Sequence, residues 1–154
     1  IAKAQKKASR EAKEGSIIAY IHPGSKLGVL LELNCETDFV ANTDDFKNLA
    51  NDICMHIAAT SPLSISSADV KESLIEKEKE IYSDQAKKTG KPDNIIEKMV
   101  EGRIKKFFQE NVLLEQNFVK EPSKTVTDLI VEKVSILGEN IVINNFSRFQ
   151  IGEK

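Results

Sequence analysis

The spacing of apolar residues changes several times along the chain, and each change marks an element. Residues 16–21, SIIAYI, and 27–34, LGVLLELN, are dense in β-branched and aliphatic side chains and are joined by HPGSK, whose Pro23-Gly24 is a strong turn signal. A β-hairpin is predicted. In its second strand Leu27, Val29, Leu31 and Leu33 fall on one face and Gly28, Leu30, Glu32 and Asn34 on the other, so one side of the hairpin belongs to a core. After CETDFVAN, residues 35–42, the period lengthens to that of a helix. Phe46, Leu49, Ala50, Ile53 and Ile57 form an apolar stripe, with Asn42 or Thr43 as cap and Asp44 and Asp45 in the first turn, where the positive end of the helix dipole favours them. That stripe is predicted to pack on the sheet. Met55 falls roughly opposite Phe46 and His56 near the edge of the stripe, which makes both candidate surface contacts.

The flanking segments follow the same logic. IAKAQKKASREAKEG, residues 1–15, sets Lys3, Lys6, Lys7 and Arg10 at helical spacing against Ile1, Ala4, Ala8 and Ala12, and predicts an opening helix stopped by Gly15. Glu11 and Glu14 dilute its basic stripe, so a solvated face is the ordinary explanation. SPLSISS interrupts the pattern, and Ser66 or Ser67 then caps a predicted helix through about Lys88, with Val70, Leu74, Ile81 and Tyr82 as a thin seam before Gly90 and Pro92. A second helix, from Pro92 through about Gln109, spaces Ile95, Ile96, Met99, Val100, Ile104, Phe107 and Phe108 helically. The short link implies a protruding antiparallel helical hairpin, an insertion over about 67–109 in one domain spanning 1–154. ENVLLEQNFVKEPSK is irregular and anchored by Leu113, Leu114 and Phe118. Thr125 with Asp128 reads as a capping box for a short helix ending near Gly138, and ENIVINNFSRFQIG as a third strand. The order predicts an α+β fold: a three-stranded antiparallel sheet packed with helices, plus the hairpin.

Composition narrows the function. At 154 residues, with 40% hydrophobic and 30% charged side chains, the chain has the length and composition of a folded domain with a sizeable core. A net charge of −2 supplies no global positive field, so neither direct nucleic-acid contact nor an anionic membrane is expected. No apolar run approaches the ~20 residues that cross a bilayer, and no basic start leads into an apolar stretch as in a signal peptide. Cys35 and Cys54 form no CxxC, and His22 and His56 are too few for a zinc set, so a reduced, cytoplasm-like compartment is the simpler reading. Phosphate loops of the GxGxxG or GxxxxGK[ST] type are missing. DFVANTDD offers Asp38, Asn42 and Asp44 but not the glycine and terminal glutamate of a calcium loop. Cys35 beside Glu36 and Asp38 would hold its thiolate poorly, the reverse of an activated nucleophile. No cofactor, metal or enzyme chemistry is expected. The chain begins at Ile1 without a methionine, inside a predicted helix, as a trimmed or processed fragment would.

What remains is Phe39, and the pattern leaves two readings of it open. It tucks under the sheet as core, as most phenylalanines do, or it stands out between Asp38 and Asn42 as an anchor for a partner's pocket, since Phe46 and Leu49 already hold the following helix down. NCETDFVANTDDF closely resembles the TDFVA motif of the elongation factor Ts family of bacteria and organelles. YIHPGSKLGVLLEL, MHIAATSP, GKPDNIIEKMVEGRIKKFF, LLEQNFVKEPSKTV and GENIVINNFSRFQIGE resemble further segments of the same family in the same order, so the resemblance spans nearly the whole chain.

The resemblance implies a guanine nucleotide exchange factor for the translational GTPase elongation factor Tu, EF-Tu, working in a bacterial cytoplasm or an organellar matrix or stroma. It implies that Asp38 and Phe39, with Thr37 and Val40 beside them, reach the nucleotide site of the GTPase domain, and that Leu27, Gly28 and His56 lie at the same contact; Met55 is added as the neighbour of His56. Leu27 stands where the family commonly has Ile. The small N-terminal helical domain that family members carry ahead of the basic helix is not found in this sequence, and one strand-helix core is visible, as in the short form. Short-form members can act as homodimers, which the pattern here neither requires nor excludes. The rival readings are a nucleic-acid-binding module using the first helix and GRIKKFF, and a structural dimerisation domain using the hairpin.

Overall fold

The computed structural model describes residues 2–153, with side chains from Gln5 onward. Its elements run α1 (Ala2–Lys7), β1 (Glu14–Ile21), β2 (Leu27–Cys35), α2 (Asp38–Ala41), α3 (Asp44–Thr60), α4 (Glu72–Lys87), α5 (Asp93–Asn111), β3 (Asn117–Phe118), β4 (Glu121–Thr125), α6 (Val126–Leu137) and β5 (Val142–Gln150). They form two compact units, Ile1–Ser61 with Asn117–Lys154, and Pro62–Gln116. The arrangement is α+β.

In the first unit β2 lies between β1 and β5 in a three-stranded antiparallel sheet. Leu31 pairs with Ile18 and Phe146, and Val29 with Tyr20 and Arg148, so the alternation read from β2 becomes one inward face. Leu31, Leu33, Phe46, Leu49, Ala50, Ile53 and Ile57 are buried, which joins that face to the stripe of α3. Each large aliphatic or aromatic side chain removed from water there stabilises the fold by about 1.5–3 kcal/mol. Arg148 reaches from β5 to the end of α3, where its guanidinium donates to the Ala58 carbonyl at 3.0 Å, a favourable place for a cation beside unpaired carbonyls. Thr125 and Asp128 close the capping box of α6, and Gly138 ends it at φ 80°, a left-handed conformation that glycine adopts without strain.

The opening helix is shorter than its basic spacing predicts. It ends at Lys7, and Glu14 and Gly15 already belong to β1; Ile1 and the side chains of Lys3 and Ala4 lie outside the described residues. Two causes are visible. The Asn140 side-chain amide donates to the Ala8 and Arg10 carbonyls, which diverts them from a helix, and Gly15 sits at φ 146° so close to β2 that a Cβ would meet the Leu33 carbonyl oxygen. Gly15 is therefore a strand residue, not a helix stop. The irregular stretch before α6 holds a small ribbon, β3 with β4, and Phe118 is buried on it.

In the second unit α4 and α5 form the expected hairpin, turned at Gly90 with φ 73°, and Arg103 stacks over the Tyr82 ring at 5.7 Å. The seam differs in detail. A single 3-10 turn, Ser67–Asp69, precedes α4, and Ile81 is exposed, whereas Ala86, Ile96 and Ile104 are buried. Leu63 and Leu113 donate backbone N–H groups to the Asn111 and Ser64 carbonyls, closing the unit at its base.

Candidate functional site

The polypeptide leaves β2 at the buried Cys35 and must turn into α3 within eight residues. It does so through two threonine caps in succession. Thr37, extended at φ −131° and ψ 154°, accepts the Val40 N–H on its hydroxyl oxygen at 3.3 Å and so begins the single turn of α2. Thr43 then donates its hydroxyl to the Val40 carbonyl at 2.7 Å and accepts the Phe46 N–H at 3.2 Å, closing one turn while opening the next helix. Four helical residues cannot share one face. Val40 and Ala41 are buried against the unit, and Asp38 and Phe39 are left outside, with Phe39 79% exposed.

The start of this turn is held from a distant part of the chain. One oxygen of the Glu139 carboxylate accepts the N–H groups of Glu36 at 3.1 Å and Thr37 at 3.0 Å, and the other accepts the Thr37 hydroxyl at 2.7 Å. Glu36 answers in kind, accepting the Asn140 N–H at 2.6 Å and facing the Arg10 guanidinium at 3.8 Å. The Cys35 thiol donates to the Thr37 carbonyl at 3.1 Å. Burial pushes this thiol's pKa up, and the nearby Glu139 carboxylate adds to the effect, so Cys35 is a neutral packing residue. The acids responsible are Glu139 and, to a lesser degree, Glu14, rather than its sequence neighbours Glu36 and Asp38.

An aromatic displayed on a doubly capped, buried base is chemically inert and mechanically firm. It can seat in an apolar pocket without being ordered first, while the Asp38 carboxylate brings negative charge to the same point. The profile of the family described as Elongation factor TS matches residues 3–153. The chain belongs to the elongation factor Ts family. It is 56% identical over 153 residues to elongation factor Ts of Thermoanaerobacter pseudethanolicus, covering 99% of this chain and 75% of that protein. The figures are 58%, 99% and 76% for elongation factor Ts of Thermodesulfovibrio yellowstonii, and 54%, 99% and 71% for that of Geobacter sulfurreducens.

Within this elongation factor Ts fold the residues singled out from the sequence do not gather in one place. Thr37, Asp38 and Phe39 are exposed together. Val40 is buried beside them, so it anchors the motif from below and offers no surface to a partner. Leu27 and Gly28 open β2 at its other end; a nine-residue strand rising about 3.3 Å per residue sets them roughly 26 Å from the motif. Met55 is half-buried on α3 and accepts the Asn51 amide at 3.6 Å.

His56 corrects the sequence reading. It is fully buried, its Nδ1 accepts the Val119 N–H at 3.2 Å, and its ring lies 5.9 Å from that of Phe118. The β3–β4 ribbon covers it, which no helical wheel of α3 could show. The residues missed were Glu139 and Asn140. Their signal was present as the GEN triplet after α6, but an acid that follows a C-capping glycine announces nothing about a partner 102 residues earlier.

Proposed function

We propose that this chain promotes GDP release from EF-Tu in the elongation phase of protein synthesis, in a bacterial cytoplasm or an organellar compartment, with Asp38 and Phe39 as the groups that enter the GTPase domain. The reading is carried by Phe39, a large aromatic 79% exposed on a fixed turn in a chain of the elongation factor Ts family. Seating such a ring between partner helices displaces them, and a carboxylate brought to a phosphate-binding region opposes the anionic nucleotide. A factor that binds nucleotide-free GTPase more tightly than the GDP form must weaken GDP by the same ratio. No covalent step is needed.

Release of labelled GDP from EF-Tu, with and without the chain, tests the proposal. Phe39→Ala is expected to cut stimulated release about thirtyfold, the equivalent of losing an anchor of ~2 kcal/mol, with thermal stability unchanged because the ring is outside the core. Wild-type release kinetics from a folded Phe39→Ala protein would overturn it.

A second copy of the chain is proposed as a further partner. The outward face of the sheet carries Ile17 and Ile21 on β1, Leu30 on β2 and Phe149 on β5, and with Ile151 they leave an apolar surface open to water. A shallow depression of about 550 Å³ lies between Ile21, Leu30, Phe149 and Ile151. An open apolar face of this kind is what a two-fold dimer buries.

A further inference from the structure

We infer that Glu139 is a positioning residue for the partner-binding turn, setting the fraction of molecules in which Phe39 is presented in a form that can bind; this rests on the exchange reading above. α2 has four residues, far below the length at which a helix holds itself together in water. Its geometry must come from outside. The N–H groups of Glu36 and Thr37 follow the last pair of the β1–β2 ladder, Glu14 with Cys35, so the sheet supplies them no partner there. Glu139 supplies one to both.

The third bond is the informative one. By accepting the Thr37 hydroxyl proton at 2.7 Å, Glu139 Oε2 turns the lone pair of that oxygen toward the Val40 N–H, which is the side-chain cap that opens α2. Glu139 thereby fixes the rotamer of Thr37, Thr37 fixes the turn, and the turn carries Phe39. Glu139 is itself fixed. It directly follows the left-handed Gly138 at the end of α6, and the next residue, Asn140, is tied through its N–H to Glu36 and through its amide to the Ala8 and Arg10 carbonyls. The two acids therefore hold each other's backbone: Glu139 accepts from residues 36 and 37, and Glu36 accepts from residue 140. When a binding-competent conformation is only partly populated, apparent affinity falls by that fraction while the bound complex is unaltered.

GDP release from EF-Tu is measured against concentration of the chain for wild type, Phe39→Ala, Glu139→Ala, Glu139→Gln and Glu139→Asp, with amide hydrogen exchange followed at residues 36–41. Glu139→Ala is expected to raise the half-saturating concentration about tenfold at an unchanged maximal rate, and to speed exchange of the Thr37 and Val40 amides. Glu139→Gln keeps an oxygen for both backbone N–H groups but puts an NH2 donor where Oε2 accepts the Thr37 hydroxyl, so it should fall between wild type and Glu139→Ala, with a shift of about threefold. Glu139→Asp, one methylene shorter, should shift about threefold and carries the comparison if the alanine variant melts near the assay temperature. Wild-type half-saturation in the alanine and aspartate variants, with Phe39→Ala inactive, would overturn the inference and leave the exchange reading standing. A lowered maximal rate, or unchanged amide exchange at residues 36–41, would also overturn it. An active Phe39→Ala would sink the exchange reading, and the inference with it.

Discussion

At the scale of single residues, exposure decides role more sharply than residue type. Phe39 and Phe46 lie seven positions apart, one 79% exposed and the other fully buried. The difference comes from the two threonine caps, which set the turn of α2 so that Val40 and Ala41 take the inward places. The exposed position of Phe39 was left open by the sequence pattern, and the cap geometry settles it. His56 goes the other way: its wheel position suggested the surface, and a ribbon from 60 residues later covers it. Cys54 gives a residue-scale prediction. Burial pushes its thiol pKa from 9.0 up to about 11, so the folded form keeps its proton where the unfolded form loses it. Stability is fully present below pH 9 and declines as pH rises through the window from 9 to about 11. Urea midpoints measured across that window should fall for the wild type and fall less steeply for Cys54→Ala.

At the scale of elements, the hairpin, the stripe of α3, the capping box of α6 and the last strand were all legible, because each is fixed by local spacing and a nearby turn or cap. The first helix was not. Its basic spacing continues past Lys7, but tertiary hydrogen bonds from Asn140 take its carbonyls, and β1 begins where a helix stop was read. Gly15 separates the two interpretations. A helix stop would tolerate alanine at small cost, whereas a residue at φ 146° pressed on the Leu33 carbonyl cannot accept a Cβ without strain on the order of 1–3 kcal/mol. Gly15→Ala should lower the urea midpoint accordingly and speed amide exchange at the paired Asn34.

For the whole molecule, the open face of the sheet is the feature that most needs a partner. Phe149 and Ile151 are 72% and 75% exposed on the same side as Ile17 and Ile21, and charged side chains are sparse between them. Sedimentation equilibrium is expected to show a dimer at micromolar concentration for the wild type. Phe149→Glu, which places a charge on that face, should shift it to a monomer while leaving the melting temperature within a few degrees. A monomeric wild type would remove the second copy from the proposed partners. Among the described residues no helix is long and apolar enough to cross a membrane, and no group of three or more His, Cys, Asp or Glu side chains is gathered as a metal set.

The sequence by itself determined the α+β class, the order of the main elements apart from α2 and the β3–β4 ribbon, and the location of the TDFVA stretch. These follow from periods of two and near 3.6, from cap and turn residues, and from a motif that is contiguous in the chain. The tertiary structure alone decided which motif residues reach solvent, that Leu27 and Gly28 stand at the far end of β2, that His56 is core, and that Glu139 holds the turn. The physical reason is sequence distance. A period reports the face a residue takes on its own element, but the covering of that face, and the acid that satisfies two amides at a strand's end, come from chain 60 to 100 residues away, which only folding brings near.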